Sequence, residues 1–230
     1  MSSEIVLHHL ENSRSQRVLW LLEELQVPYT IKHYKRLPTQ LAPPELKKIH
    51  PLGKSPVITD GDLVIAESGA IVEYLIGKYG KGRFQPPEQG NVKNLYYTHY
   101  AEGTLQNLLS NWRIYGMIPE RVPWPIRWLI RIVMTKTQQA FLLGTIEAST
   151  EMVEKDLEQS PTGWIAGGAE PTSADFMLLF PLEALPRAMG TRIPPKIKAW
   201  VNSAHSRDDF QRALEKGGEY VYAKRSEAST

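Results

Sequence analysis

One stretch of the chain, HPLGKSPVITDGDLVIAES from His50 to Ser68, most restricts how it can fold. It predicts a loop, a strand, a tight turn and a second strand that ends where a helix begins. Pro56 precedes the β-branched pair Val57 and Ile58. Because proline cannot donate a ladder hydrogen bond, the start of this strand is expected to keep a free edge. A cis peptide bond before Pro56 would turn the N–H and C=O of Val57 outward. The stretch therefore predicts capture of a short extended peptide by backbone pairing.

The end of the same stretch predicts a place for anionic groups. Ser68 precedes an amphipathic run from Ala70 to Tyr79 and is a candidate N-cap residue. The first turn of a helix exposes N–H groups with partial positive charge, so a ligand carboxylate can bind there. Lys54, at the far end of the loop, is a candidate for binding a second carboxylate. Taken singly, these residues fit an ordinary hairpin, a capped helix and an exposed lysine. Their spacing together favours a binding site.

The composition limits the class of protein. The 230 residues are 42% hydrophobic and 23% charged, which is typical of a soluble globular protein, and two domains are expected. The formal net charge is only +2 and the basic residues are scattered, so nothing favours nucleic-acid binding. No cysteine is present, so thiol chemistry would require a sulfur atom supplied by the ligand. A signal-peptide pattern and long apolar windows are both missing, which predicts a cytoplasmic protein.

The first predicted elements indicate a small α/β domain. A strand from Glu4 to His9, a helix that ends before Pro28 and a strand from Tyr29 to Tyr34 form a β-α-β unit. A short helix at 44–49 follows, and the hairpin and helix described above come next. Together they give the order β-α-β-α-β-β-α, which we assign to residues 1–82.

The second domain, residues 91–230, is predicted to be entirely helical. Gly80 to Gly90 has the composition of a linker, and strand-like alternation does not recur after it. Long helices are predicted from Asn91 to Arg113 and from about Lys136 to Gln159. The fold class is therefore α/β plus all-α.

The segment between these long helices, residues 113–135, combines Trp124 and Trp128 with several arginines and a single acidic residue. Tryptophan with arginine suits the interface of an anionic membrane. Pro123 and Pro125 interrupt any long amphipathic helix there, which favours helix packing or a lid over a pocket. Packing or a lid is the preferred interpretation, and membrane association is the alternative.

Four motifs give the chain a resemblance to a known family. They are Ser13-Arg14-Ser15-Gln16-Arg17 with the following VLWLLEEL, then PELKKIHPLGKSPV, then AESGAIVEYL, and the capping-box pair Thr172 and Asp175. On these motifs the chain resembles the soluble glutathione transferases over nearly its whole length. The first two look most like a fungal branch with bacterial relatives, in which a serine faces the sulfur. The resemblance implies a thioredoxin-like domain followed by an all-helical domain, the glutathione transferase fold.

The resemblance implies that the peptide is glutathione, used as a co-substrate, with no metal ion. Val57, after a cis Pro56, would pair with the cysteinyl backbone. Glu67 would bind the γ-glutamyl ammonium and Ser68 the γ-glutamyl carboxylate, while Lys54 would neutralise the glycyl carboxylate. The family usually forms two-fold dimers, so a homodimer is expected.

Ser13 matches the family's hydroxyl position after the first strand and would donate a hydrogen bond to the thiolate. Ser15 and Asn12 are the alternatives, since either is close enough along the chain to reach the sulfur. Lowering a thiol pKa of about 8.5 by roughly two units needs about 2.7 kcal/mol. One charge-assisted hydrogen bond contributes about 1.5–3 kcal/mol, so no dedicated base is required. His8 and His9 alternate on opposite faces of the first strand, which favours structural roles for both.

The function implied by the resemblance is attack of glutathione on electrophilic small molecules in detoxification. Glutathione-dependent reduction of organic peroxides is a further expectation. The alternative is a regulatory or carrier protein on the same fold that binds glutathione without turnover. Residues 91–230 would supply the pocket for an apolar electrophile, with Tyr97, Tyr100, Gln106 and Trp112 as candidate wall residues.

Overall fold

The computed structural model describes residues 4–223. The first part of the chain contains β1 (Ile5–Leu10), α1 (Ser15–Leu25), β2 (Tyr29–Tyr34), a 3₁₀ turn (Pro44–Lys48), β3 (Val57–Asp60), β4 (Leu63–Ala66) and α2 (Ser68–Tyr79). This order confirms the predicted β-α-β-α-β-β-α unit. The second predicted helix is reduced to the 3₁₀ turn, because two prolines precede it and a proline–glycine loop follows.

The four strands form one mixed sheet in the order β2-β1-β3-β4. β1 and β2 are parallel, whereas β3 is antiparallel to both β1 and β4. Strand β3 is therefore an interior strand. His8 near the end of β1 lies opposite Val57 at the start of β3. That register brings the loop after β1 next to Pro56.

The remainder of the described chain is helical. Its helices are α3 (Asn91–Tyr100), α4 (Asn107–Met117), α5 (Arg127–Thr137), α6 (Gly144–Glu158), α7 (Ser173–Ala184), α8 (Pro186–Met189), α9 (Pro195–His205) and α10 (Asp208–Gly217). π-helical turns at Ala101–Gln106 and Gln138–Leu143 connect α3 to α4 and α5 to α6 without a break. Two long helical segments therefore run through this part of the chain. Among residues 4–223, no helix combines the length and the apolarity needed to cross a membrane.

The second long segment begins earlier than the sequence predicted. The prediction placed its start near Lys136, but α5 begins at Arg127. Pro123 and Pro125 disturb only a short 3₁₀ turn, Trp124–Ile126, because proline is tolerated in the first turn of a helix. The first long segment likewise extends to Met117 rather than ending at Arg113.

Helix α1 is buried along its whole length, beyond the single apolar face that the sequence predicted. It packs against α2, α7 and α10 as well as the sheet. Its charged residues tolerate burial because they are paired: Arg17 with Glu102, and Glu24 with Arg207. The position of α1, and of the loop just before it, is therefore fixed by both parts of the chain.

The capping box predicted at Thr172 and Asp175 is confirmed at the start of α7. The Asp175 carboxylate accepts hydrogen bonds from the Thr172 N–H at 2.8 Å, the Ile165 N–H at 2.9 Å and the Trp200 Nε1–H at 3.3 Å. Burial raises the pKa of Asp175 to about 6, against the opposing effect of these hydrogen bonds. One carboxylate thus joins α7 to the preceding loop and to α9.

Candidate functional site

Two adjoining cavities lie where the loop after β1 meets the start of β3. Six of the eight predicted site residues line one or both of them: Asn12, Ser13, Lys54, Pro56, Glu67 and Ser68. Ser13 and Asn12 line the larger cavity, of about 290 Å³, and Lys54 lines both. Ser15 and Val57 line neither. A separate cavity of about 640 Å³ beside the start of β1 contains none of the eight.

Ser13 precedes α1, and its hydroxyl is held by neighbouring groups. Oγ donates to the Leu10 carbonyl oxygen at 2.7 Å, contacts Ser15 Oγ at 2.8 Å and accepts the Ser15 N–H at 3.2 Å. A hydroxyl has one proton, so the Leu10 and Ser15 oxygens compete for it. A sulfur atom in this cavity would receive that proton only in exchange for one of these bonds.

Ser15 is fully buried, and its Oγ contacts His9 Nδ1 at 2.9 Å. Burial, followed by the charge of His33, lowers the pKa of His9 to about 4, against an opposing hydrogen bond with the Gly217 backbone. His9 is therefore neutral at pH 7. Ser15 Oγ and His9 Nδ1 share one hydrogen bond, whose direction depends on which ring nitrogen of His9 carries the proton. His9 thus orients Ser15 and does not line the cavity.

Asn12 has a left-handed backbone conformation with φ 51°. Its Oδ1 accepts the Val221 N–H at 2.8 Å, and its carbonyl oxygen accepts Arg36 Nη2–H at 3.1 Å. These contacts tie the loop before α1 to the C-terminal segment. The Asn12 Oδ1 is thus engaged by the C-terminal segment, whereas its Nδ2 forms no hydrogen bond with any residue in 4–223, so Asn12 stays an alternative to Ser13 as the donor to a ligand sulfur.

The free strand edge expected at Val57 needs correction. Val57 lies between His8 of β1 and Ala66 of β4, so both of its sides are covered by strands. The peptide bond between Ser55 and Pro56 is cis, as expected. Ser55, not Val57, is the residue whose backbone N–H and C=O form no hydrogen bond within the described chain. The error came from counting along the strand without knowing that β3 is interior.

The Ser55 side chain explains why this backbone stays beside the cavity. Its hydroxyl donates to the His8 carbonyl oxygen at 2.9 Å and accepts the Leu10 N–H at 3.2 Å. The Ser55 hydroxyl therefore forms the hydrogen bonds to β1 that the backbone of a further β3 residue would otherwise form. Sequence reasoning missed Ser55, although its position directly before the proline was a usable signal.

The start of α2 lies one residue earlier than predicted. Glu67 is the N-cap, and Ser68 is the first helical residue, buried at 4% exposure. Glu67 has φ 72°, a conformation that is strained for a residue other than glycine. Its carboxylate makes no hydrogen bond or ion pair with any residue in 4–223. The Glu67 carboxylate is exposed and unpaired, and it lies beside the free N–H groups at the start of α2. This arrangement is suited to binding a ligand that carries both an ammonium and a carboxylate.

A network of charges supports the floor of the site. Arg14, which lines both cavities, and Arg17, which is fully buried, both pair with Glu102. Burial alone would raise the pKa of Glu102, but the charges of Arg17 and Arg14 outweigh it and lower the pKa. Glu102 is thus ionised and links α1 to the first long helical segment. The sequence analysis identified neither Arg14 nor Glu102 as part of the site.

The residues proposed for the electrophile wall fall into different environments. Tyr97 is fully buried and donates to Asp156 Oδ2 at 2.6 Å, so it belongs to the core. Gln106 does line the larger cavity, whereas Tyr100 and Trp112 pack against the core and do not. Side chains of the cavity that sequence reasoning missed are Leu41, Ala42, Ser110, Arg113 and Phe180. These residues are far apart along the chain, so no local sequence pattern predicted that they would line one cavity.

The segment 113–135 leaves both of its tryptophans in solvent. Trp124 is 80% exposed and Trp128 is 64% exposed, and α5 buries none of its residues. The two tryptophans are therefore not buried by helix packing within the described chain, and the lid stays a prediction. Arg121 donates to the Thr39 carbonyl oxygen at 3.0 Å, next to Gln40, which lines the larger cavity. The segment thus contacts the rim of the cavity, and the membrane alternative stays a prediction.

The chain is similar to known proteins in both sequence and fold. The family model "Glutathione S-transferase, N-terminal domain" matches residues 2–76. Glutathione S-transferase 3 of Schizosaccharomyces pombe is 33% identical over 216 residues, covering 92% of this chain and 87% of the relative. Glutathione S-transferase 1 of Saccharomyces cerevisiae is 33% identical over 223 residues, covering 92% and 94%.

Solved structures of similar fold include a glutathione S-transferase from Actinobacillus pleuropneumoniae. It has a TM-score of 0.75 and 30% identity and covers 97% of both chains. A glutathione transferase from Phanerochaete chrysosporium, solved with oxidised glutathione, has a TM-score of 0.72, with 94% and 96% covered. Its identity is 19%, so it supports the fold alone. In the part of the chain described by the structure, no cluster of three or more histidine, aspartate or glutamate side chains is placed to hold a metal ion.

Proposed function

The chain belongs to the glutathione S-transferase family, and from this premise we propose which of its residues bind glutathione and activate its thiol. Its 33% identity to yeast glutathione S-transferases extends over most of the chain. The chain is accordingly a glutathione transferase that uses glutathione as its co-substrate. The site residues below and the finer features of the reaction are our proposals.

We propose that Ser13 donates a hydrogen bond from its hydroxyl to the thiolate of bound glutathione. The observation that carries this proposal is the position of Ser13 on the larger cavity, just before the N-terminus of α1. The partial charge of that helix terminus favours an anion nearby. Ser15, buried against His9, and Asn12, engaged by Val221, hold the loop in this conformation. The chain is thus assigned to the serine type, and its similarity to yeast and bacterial transferases supports the fungal and bacterial branch.

The peptide is proposed to lie from Ser13 toward the start of α2. The unbonded backbone of Ser55, rather than that of Val57, would pair with the cysteinyl residue. Glu67 would accept the γ-glutamyl ammonium, and Ser68 with the first N–H groups of α2 would bind its carboxylate. Lys54, exposed at the other side of the smaller cavity, would neutralise the glycyl carboxylate. The ammonium and the glycyl carboxylate of glutathione then each have a partner of opposite charge, and the γ-glutamyl carboxylate has hydrogen-bond donors.

The two parts of the chain have different binding roles in this proposal. Residues 1–82 bind glutathione, and residues 91–230 contribute the electrophile side of the cleft through Gln106, Ser110 and Phe180. A cytoplasmic location fits a protein that depends on reduced glutathione. Reduction of organic peroxides, which needs the same thiolate, is proposed as a second reaction.

A homodimer is proposed from exposed apolar side chains in both parts of the chain. Leu63 and Val64 on the edge strand β4 are 45% and 44% exposed, and Val92 and Leu95 on α3 are 79% and 60% exposed. A two-fold axis would place β4 of one protomer against α3 of its partner and cover both sets. Light scattering of the purified protein tests this: a mass of one chain at micromolar concentration would contradict it.

The enzyme proposal is tested with a generic chloronitrobenzene electrophile and glutathione. Turnover that saturates with glutathione supports it. The competing function is a carrier or regulatory protein, which would bind glutathione with measurable affinity and show no turnover above the uncatalysed rate. Calorimetry on the same preparation separates the two outcomes.

A further inference from the structure

A third cavity, of about 400 Å³, continues the cleft beyond Ser13. It shares four lining residues with the Ser13 cavity: Asn12, Arg36, Gln40 and Arg113. The two spaces are therefore neighbouring parts of one cleft. The third cavity shares no lining residue with the smaller cavity, which is lined by Lys54, Glu67 and Ser68 and is proposed for the ends of glutathione.

Three arginines from separate parts of the chain line this third cavity. Arg36 follows β2, Arg113 is on α4 and Arg187 is on α8. Their convergence is a property of the fold, because no two of them are close in sequence. In the following, these three residues are called the arginine cluster.

No guanidinium of the arginine cluster forms an ion pair with an acidic side chain of the described chain. Arg36 donates only to the backbone oxygens of Gln40 at 3.0 Å and Asn12 at 3.1 Å. Arg187 lies over the Tyr222 ring, with its Cζ 4.6 Å from the ring centroid. Arg113 has neither a hydrogen bond nor an ion pair with any residue in 4–223.

Two glutamates also line the cavity, but neither pairs with a guanidinium of the cluster. The Glu11 carboxylate accepts the backbone N–H of Arg36 at 2.8 Å, and Glu219 forms no ion pair within the described residues. Burial, and then the charge of Arg113, lower the pKa of Arg36, against the opposing charges of Glu11 and Tyr222. The charges of Arg36 and Arg113 are therefore close enough to repel one another, which an anion between them would relieve.

We propose that the arginine cluster is a subsite for an anionic group, a carboxylate or sulfonate, on the electrophile that glutathione attacks. The proposal rests on the proposed function, because it needs glutathione bound at Ser13. Guanidinium groups bind oxyanions through paired hydrogen bonds, and three of them around one cavity suit one such group. The electrophilic carbon would then lie between the anionic group and the sulfur.

The reaction on such a substrate is a substitution. For an aryl chloride, the glutathione sulfur forms a bond to the ring carbon that carries chlorine, and the carbon–chlorine bond breaks to release chloride. The thiol proton has already left to solvent. The arginine cluster holds the ring and takes no part in bond making.

The test compares two electrophiles that differ in charge alone: a chloro-dinitrobenzoate and the matching chloro-dinitrobenzamide. Each kcat/KM is divided by the uncatalysed rate with glutathione, so that intrinsic reactivity cancels. The proposal expects the wild type to favour the benzoate, and Arg113→Gln to reduce the benzoate-to-benzamide ratio about tenfold, the loss of one hydrogen bond to a charged group. Arg113→Lys, which keeps the charge, should retain part of the preference. Arg192→Gln, an exposed arginine paired with Glu147 outside the cavity, should retain all of it.

Measuring the affinity for the reaction products distinguishes failure of the anion subsite from failure of the proposed transferase function. Calorimetry compares binding of the carboxylated and carboxamide dinitrophenyl conjugates of glutathione to the full-length protein, and turnover is not needed. Tighter binding of the carboxylated conjugate that weakens with added salt supports the subsite, even if no turnover is found. Equal binding of both conjugates, or an equal preference in wild type and Arg113→Gln, overturns the subsite while leaving glutathione transfer intact.

Discussion

The substitution Ser13→Ala tests how the enzyme makes the thiolate. In the free site the Ser13 proton is already donated, to the Leu10 carbonyl oxygen at 2.7 Å or to Ser15 Oγ at 2.8 Å. Donation to a thiolate therefore replaces a neutral hydrogen bond of about 0.5–1.5 kcal/mol with a charge-assisted one of about 1.5–3 kcal/mol. The net gain is about 1.3 kcal/mol, which corresponds to roughly one pKa unit of the glutathione thiol.

This magnitude is smaller than the sequence alone suggested, because the sequence did not show that the Ser13 proton had another acceptor. Ser13→Ala should raise the pKa of bound glutathione by about one unit. Below that pKa, kcat/KM should fall nearly tenfold, while the limiting value at high pH should change much less. Ser15 Oγ stays within 3.2 Å of the Leu10 carbonyl oxygen in this variant, so the loop should stay folded.

The assay is a titration of the thiolate ultraviolet absorbance of the enzyme–glutathione complex, with a pH profile of kcat/KM beside it. Ser110→Ala is the matched control, since Ser110 lines the same cavity but is bonded to Gln106 rather than to the Ser13 network. Ser15→Ala should lower the free energy of unfolding and leave the pKa of the glutathione thiol nearly unchanged, because Ser15 is fully buried. A titration curve of Ser13→Ala that coincides with that of the wild type, with glutathione still bound, would refute the role of Ser13.

Two further predictions concern stability. Asp175→Ala removes the acceptor for three buried N–H donors and should lower the free energy of unfolding by roughly 3 kcal/mol in urea titrations, whereas a loss below 1 kcal/mol would show that water replaces the carboxylate. His9 has a folded pKa of about 4, below its ordinary 6.5, so the unfolded chain binds the proton first and stability falls as the pH drops from 6.5 to 4. Between pH 7 and pH 4.5 the wild type should therefore lose about 2.5 kcal/mol more than His9→Gln, and equal losses would contradict the burial of a neutral His9. The opposite effect of Asp175, whose raised pKa weakens folding as the pH rises from about 4 to about 6, is common to both proteins and cancels.

Local sequence patterns were sufficient for most of the fold. Alternation predicted β1 and β2, the turn residues predicted the hairpin of β3 and β4, and the spacing of Thr172 and Asp175 predicted the capping box. Each of these features is decided by residues within a few positions of one another. The start of α5 at Arg127 was missed because prolines were treated as ending a helix, although they are compatible with its first turn.

The location of the candidate site was predictable where it depends on a residue's neighbours along the chain. Ser13, Lys54, Glu67 and Ser68 lie in loops or at the start of a helix, and the structure places them on two adjoining cavities, while their roles stay proposals. The role of Val57 was not predictable, because it depends on which strands flank β3.

The electrophile side was largely beyond sequence reasoning. Ser110, Arg113, Phe180 and Arg187 meet residues of the first domain only through tertiary packing. Tyr97 was mistaken for a wall residue because a buried aromatic and a pocket aromatic have the same spacing on a helix. The arginine cluster had no local signal at all.

The most direct test of the central claim is a calorimetric titration of glutathione into the wild-type protein and Glu67→Gln. The account predicts one binding site per chain, filled below millimolar concentration, and weaker binding in Glu67→Gln, which lacks the charge that meets the γ-glutamyl ammonium. Glu73→Gln, an exposed glutamate on α2 that lines none of the three cavities of the proposed cleft, is the matched control and should bind as the wild type does. Absence of binding up to millimolar glutathione, in a protein whose circular dichroism shows it folded, would contradict the account.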